Sequence, residues 1–166
     1  QFTHTAAHQA WHAAVNALFD PLRKARVDYA ALPIAVFVDP EVARAGLNVQ
    51  EATAAGIPHE VTRFGLDDLD RAITEREATG FIKVLTAPGK DKILGVTIVG
   101  ASAAETISEF VLAMKHGIGL KQILKTVHIY PTMAEGNRFV AATWLQAHQP
   151  KGLLDLAGRF HAWRRG

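Results

Sequence analysis

His128-Ile129-Tyr130-Pro131-Thr132-Met133-Ala134-Glu135, continuing into Gly136-Asn137-Arg138-Phe139, is the stretch on which the reading of this chain turns. Taken for its residues alone it is a helix start. A proline is followed by Thr132 as N-cap, and Glu135 stands where its carboxylate can reach back to the cap in a capping box. The helix is expected to run from Thr132 to about His148. The same geometry fixes Tyr130 just ahead of the helix. Residues i and i+2 of an extended backbone share a face, so His128 is expected to stand beside Tyr130.

Outward from that stretch, the chain alternates short apolar runs with helical patterns. Gly100 precedes an expected helix from about Ser102 to His116, ended by Gly117, with Ala103, Ile107, Phe110, Val111 and Met114 at helical spacing. A short helix near Leu120–Leu124 follows it. Phe81–Leu85 and Ile93–Val99 are apolar and β-branched, with hairpin turn residues Ala87-Pro88-Gly89-Lys90-Asp91-Lys92 between them. His59–Leu66 is a third strand, and Asp67–Thr79 a short helical turn or solvated loop. Asn48 and Glu51 have capping-box spacing for a helix ending at Gly56. Ile34–Val38 is expected to be a buried strand. At the N-terminus, His4–Phe19 is a helix capped by Thr3 and stopped by Asp20-Pro21. A basic linker, Arg23-Lys24-Ala25-Arg26, leads from it to Pro33. These elements define an α+β domain: an antiparallel β-sheet with helices packed on one side. The expected division is 1–20, 21–32 as linker, 33–149 as the main domain, and 150–166 as an amphipathic C-terminal helix.

Composition narrows the function classes. The chain has 166 residues, 49% hydrophobic and 20% charged, which suits one soluble globular domain. Its net charge of +2 does not support a nucleic-acid role. No apolar run approaches the roughly 18–20 residues that span a membrane. Cysteine is absent, which excludes disulfides, thiolate zinc sites and a thiol nucleophile within the chain. Beginning at Gln1 in a helical segment, without an initiator methionine or secretory leader, it reads as a fragment of a longer protein.

Three stretches, in order, carry a resemblance. Pro33-Ile34-Ala35-Val36-Phe37-Val38-Asp39-Pro40-Glu41-Val42-Ala43 with Gly46-Leu47, then Gly80-Phe81-Ile82-Lys83 through Ile93-Leu94-Gly95 and Val99-Gly100, then Tyr130–Glu135, resemble the dimerisation domain of FAD-dependent pyridine nucleotide-disulfide oxidoreductases. Gln1-Phe2-Thr3-His4-Thr5-Ala6 resembles the helix that ends that family's flavin domain. Dehydrogenase-like members read approximately His-x-His-Pro-Thr-x-x-Glu in the closing motif. Tyr130 stands here in place of the second histidine, which resembles the mercuric-reductase-like branch.

The resemblance implies a C-terminal domain that forms a homodimer and completes the partner subunit's active site. In the family that histidine is the acid–base group and the glutamate orients it, a base-plus-orienter arrangement. Tyr130, Glu135 and His128 are thereby the candidate catalytic residues. Phe2, Thr3, His4, Tyr130 and Pro131 are candidate cofactor contacts, the first three at a helix N-terminus facing the flavin and Pro131 through a cis peptide bond. A tyrosine with a pKa near ~10 is a poor base at neutral pH, so its implied role is hydrogen-bond donation, contact with a bound metal or thiolate stabilisation rather than ordinary dithiol reduction. Mercury as substrate is in question too, because mercuric reductases carry a C-terminal cysteine pair that this chain lacks. FAD and NAD(P)H are implied for the parent enzyme, held mainly on upstream domains, with none expected on this fragment. A cytoplasmic setting is expected. The alternatives are a flavoprotein-derived redox sensor and a non-catalytic interaction module.

Other features read more plainly. His4, His8 and His12 share a helix face, but without converging carboxylates or thiolates they mark no metal site. Gly95 and Gly100 lack the nucleotide-binding spacing and are read as a tight strand-to-helix turn. Leu153, Leu156, Ala157, Phe160 and Trp163 form an apolar stripe near Arg159, Arg164 and Arg165. Packing against the domain or its partner is expected there, ahead of a membrane surface.

Overall fold

The computed structural model describes residues 2–22 and 24–165. Gln1 and Arg23, which the sequence reading used for the opening helix and the linker, lie outside them, as does the side chain of Leu153. Five strands, β1 (Ile34–Val36), β2 (Val42–Gly46), β3 (Glu60–Gly65), β4 (Phe81–Thr86) and β5 (Ile93–Val99), form one antiparallel sheet in the order β1-β2-β5-β4-β3. The helices are α1 (Thr3–Phe19), α2 (Val49–Ala54), α3 (Asp70–Glu75), α4 (Ala103–Thr106), α5 (Ser108–Lys115), α6 (Leu120–Lys125), α7 (Glu135–Ala147) and α8 (Lys151–Arg165). A single 3-10 turn, Leu66–Asp68, precedes α3.

The β4–β5 hairpin organises the sheet. Pairing of Ile82 with Ile98 and of Val84 with Val96 puts all four on one face. Ala43 and Ala45 of β2 extend that face by pairing with Ile98 and Val96. These residues join Phe110, Ala113, Leu120, Ile123, Val140, Ala141 and Trp144 from α5, α6 and α7 in one buried cluster. Full burial of each large apolar side chain contributes roughly 1.5–3 kcal/mol, so this face holds the helices to the sheet.

Several elements differ from the sequence expectation. β1 is shorter than expected and lies at the sheet edge, with Val36, Phe37 and Val38 at least half exposed, so it is not a buried strand. β2 is a separate strand that the short run Val42-Ala43-Arg44-Ala45-Gly46 does not announce, because alanine and glycine carry little β signal. Thr3 lies inside α1; Phe2 takes the N-cap position, and no side chain caps it. The expected single helix after Gly100 breaks at Ile107 into α4 and α5. Ser102, at φ +57°, offers no cap to α4, and the Glu41 carboxylate accepts from Ala104 N–H at 3.1 Å instead. Asp67–Thr79 holds the short helical turn that is one of its two expected forms, α3, and not a solvated loop, since Leu69 and Ala72 are fully buried. Ala25 of the linker is tied to α1: the Asn16 side chain donates to Ala25 O at 3.0 Å and accepts from Ala25 N–H at 2.7 Å.

The Asn48–Glu51 capping box forms in full, with Asn48 accepting from Glu51 N–H at 2.8 Å and Glu51 from Asn48 N–H at 3.1 Å. The hydrogen bond from Arg44, then that from Asn48 N–H, holds the Glu51 carboxyl below the usual carboxylate range. Gly95 does not serve a strand-to-helix turn. A Cβ there would lie 1.9 Å from Leu47 O, so glycine is what lets the chain after β2 cross β5. The turn belongs to Gly100, at φ +148°.

Two substitutions test this frame by urea unfolding. Gly95→Ala meets backbone that cannot yield and is expected to cost about 3 kcal/mol or more. Asn48→Ala removes the cap alone and is expected to cost about 1 kcal/mol.

Candidate functional site

The loop between α6 and α7 carries the candidate residues and alternates sharply in exposure. Val127 is 94% exposed, Ile129 79% and Tyr130 66%, whereas the His128 side chain is only 7% exposed. The chain bends at Tyr130 and Pro131, so the extended geometry that would have put His128 and Tyr130 on one face does not hold. The Tyr130–Pro131 peptide bond is cis.

His128 turns inward. Its Nδ1 lies 3.0 Å from Thr126 O, and its Nε2 lies 3.1 Å from both carboxylate oxygens of Glu109 on α5. Both ring nitrogens therefore face acceptors within the domain. Asn137, fully buried on the first turn of α7, donates to Glu109 Oε2 at 2.8 Å and to Thr106 O at 3.0 Å. Glu109 thus ties the loop, α5 and α7 into one polar cluster. The Asn137 Oδ1 is left without a partner. Neither Glu109 nor Asn137 stands out in the sequence. Both lie within ordinary helical patterns, and only the fold brings them to His128.

Tyr130 turns outward. Its hydroxyl donates to Asp70 Oδ2 at 2.9 Å, at the first position of α3. That hydrogen bond, then the charge of Asp70, and more weakly desolvation and the charge of Glu135, raise the phenol pKa above its ordinary 10.0. Tyr130 is consequently a protonated hydrogen-bond donor at neutral pH. Asp70 is sixty positions from Tyr130 in the chain, and no local pattern marks the pair.

Glu135 is 6% exposed and accepts from Thr132 N–H at 3.3 Å. That is one half of the expected capping box. The other half is absent because the Thr132 hydroxyl donates to Ile129 O at 2.7 Å, and α7 starts at Glu135 rather than Thr132. Glu135 reaches Tyr130 through its charge rather than a hydrogen bond. The side chain that orients the Tyr130 hydroxyl within this chain is Asp70.

The candidate cofactor contacts at the N-terminus are separate from this loop. The Phe2 and His4 rings stack at 5.5 Å, and His4 Nε2 donates to Pro33 O at 2.9 Å. The first turn of α1 has neither a side-chain cap nor an acidic residue, and the buried Thr5 Oγ1 has no partner. Free first-turn N–H groups suit an acceptor or anion at this end. His4 and His8 also line a cavity of about 320 Å³ with Asp28, Pro33, Val111 and Lys115. Among the described residues, no group of three or more histidine and carboxylate side chains converges as a metal site would require.

The pyridine nucleotide-disulphide oxidoreductase dimerisation domain family matches residues 32–139, and the chain belongs to it. It is 36% identical over 135 residues to a dihydrolipoyl dehydrogenase of Chlamydia muridarum, covering 81% of this chain and 28% of that protein. It is 32% identical over 143 residues to a mercuric reductase of Streptomyces lividans, covering 86% and 30%. The fold is similar to that of an HOCl-induced flavoprotein disulfide reductase of Escherichia coli, with a TM-score of 0.76 at 20% identity, over 86% of this chain and 32% of that one. The chain therefore spans less than a third of the length of these relatives.

Two outcomes test the site. Asp70→Asn, in a Tyr29→Phe background, lowers the Tyr130 pKa, read by ultraviolet titration of the phenol. Glu109→Ala leaves buried groups of His128 and Asn137 unpaired and costs about 1–3 kcal/mol, measured by chemical denaturation.

Proposed function

We propose that this domain holds two copies of a longer flavin- and nicotinamide-dependent reductase together and presents Tyr130 to the partner subunit's active site. The observation that carries the reading is the opposition of His128 and Tyr130: one locked inside the domain, the other exposed on a loop it anchors. Exposed Val127 and Ile129 beside Tyr130, with Val36, Phe37 and Val38 at the sheet edge, supply apolar surface suited to a homodimer.

At the partner's site Tyr130 turns its one hydroxyl proton from Asp70 Oδ2 to a thiolate or to the oxygen or sulfur of a bound substrate, Asp70 holding the hydroxyl until that exchange and Glu135 adding negative charge beneath it. Glu135 and His128 act as positioning residues, one at the start of α7 and the other at the base of the loop. The raised phenol pKa suits a donor and argues against general-base work at neutral pH. The mercuric-reductase-like branch is favoured over ordinary dithiol reduction for that reason. FAD, when bound, supplies electron transfer between NAD(P)H and the substrate. Phe2, Thr3 and His4 would meet it at the start of α1, where the uncapped amides suit a reduced flavin, and Tyr130 with Pro131 would lie against the partner's copy. The cytoplasm, with its NAD(P)H supply, is the proposed setting.

Sedimentation equilibrium on the 166-residue chain tests assembly directly. A dimer without flavin absorbance is expected, and Val127→Glu with Ile129→Glu converts it to a monomer of unchanged circular dichroism. A wild-type monomer counts against the reading. In the full-length enzyme, Tyr130→Phe is expected to lower NAD(P)H-dependent turnover by about a hundredfold, the typical scale for a lost proton-donating group, while the dimer persists. Unchanged turnover would remove Tyr130 from the chemistry.

A further inference from the structure

We propose that α8 is a surface-binding helix that lays the domain against an anionic lipid bilayer. It begins beyond Phe139, where the family match ends, and His148-Gln149-Pro150 separate it from α7. Among the described residues it makes no extended contact with the sheet. Leu156 is 64% exposed, Phe160 51% and Trp163 77%, so these described residues of the stripe expected to pack on the domain or its partner are not covered by the domain itself.

The composition of the helix selects its occupant. Arg159, Arg164 and Arg165 are its described cations, with Lys151 also basic in the sequence, against the single acid Asp155. Aromatic and aliphatic groups on one side, with arginines along and beside them, are the pattern of helices that lie in the plane of a bilayer surface. Phe160 and Trp163 stand with ring centroids 6.1 Å apart, a paired wedge of the size that settles at the headgroup boundary. Arg164 sits 5.8 Å over the Phe160 ring, on the apolar side, where a long side chain can lie along the ring and lift its charge to the phosphates. Among the described residues no helix is long and apolar enough to cross a membrane. The contact is therefore peripheral.

Co-sedimentation of the purified chain with large vesicles tests this, using phosphatidylcholine alone and phosphatidylcholine mixed with phosphatidylglycerol. The chain is expected to pellet with the anionic vesicles, to remain in solution with the neutral ones, and to be released by raised salt. Arg159→Glu with Arg164→Glu and Arg165→Glu, or Phe160→Ala with Trp163→Ala, should each weaken binding by about tenfold or more. Both sets lie outside the buried core, so circular dichroism should not change. A chain ending at Gln149 should lose binding altogether. Equal binding to both vesicle types, or binding retained without α8, overturns the proposal. So does a Phe160→Ala, Trp163→Ala variant that changes only the oligomeric state, because a second copy would then be what covers the stripe.

Discussion

The inner face of the β4–β5 hairpin carries this domain. Ile82, Val84, Val96 and Ile98 are at most 2% exposed, and every helix that positions the loop leans on the layer they form. The contact depends on small residues as much as on large ones. Ala43 and Ala45 thin β2 so that α4 can approach the same face, and Gly136 lets α7 sit down on β4, where a Cβ would lie 2.6 Å from Ile82 Cδ1. Close packing of this kind fixes the start of α7, and Glu135 and Asn137 are on its first turn.

That placement explains the division of labour at the loop. Asn137 and Glu109 meet because α5 and α7 are both pressed to the sheet, and His128 is drawn in between them. The bend at Tyr130 and Pro131 then turns the next residues outward. A buried polar cluster bridging three segments restrains them more tightly than apolar contacts alone, since each misplacement leaves a donor or acceptor unpaired. The exposed half of the loop is thereby held by its buried half.

Much of this was legible in the sequence, for physical reasons that differ by element. The β4–β5 hairpin, the Asn48–Glu51 cap and α6 rest on local chemistry, so residue order suffices to find them. β2 and the break at Ile107 are tertiary products: a run of alanine and glycine becomes a strand only because β5 pairs with it, and Gly95 is required by a crossing that no local pattern shows. At the site, Tyr130, Glu135 and His128 were visible through the motif. Asp70 and Glu109 were not, because each is joined to the loop only through the fold. The expected Thr132 cap failed for a local reason, the competing hydrogen bond of its hydroxyl to Ile129 O.

Position 130 is consequently a slot whose occupant can be exchanged without rebuilding its surroundings. The loop's shape is set on either side of it, by the inward-turned His128 and by Thr132 bonded to Ile129, while the Tyr130 side chain contributes one hydrogen bond at the surface. A substitution there therefore keeps the scaffold's stability. Change is cheap at that residue and expensive at its near neighbour His128, whose loss would remove one of the two partners of Glu109 and loosen everything the loop presents.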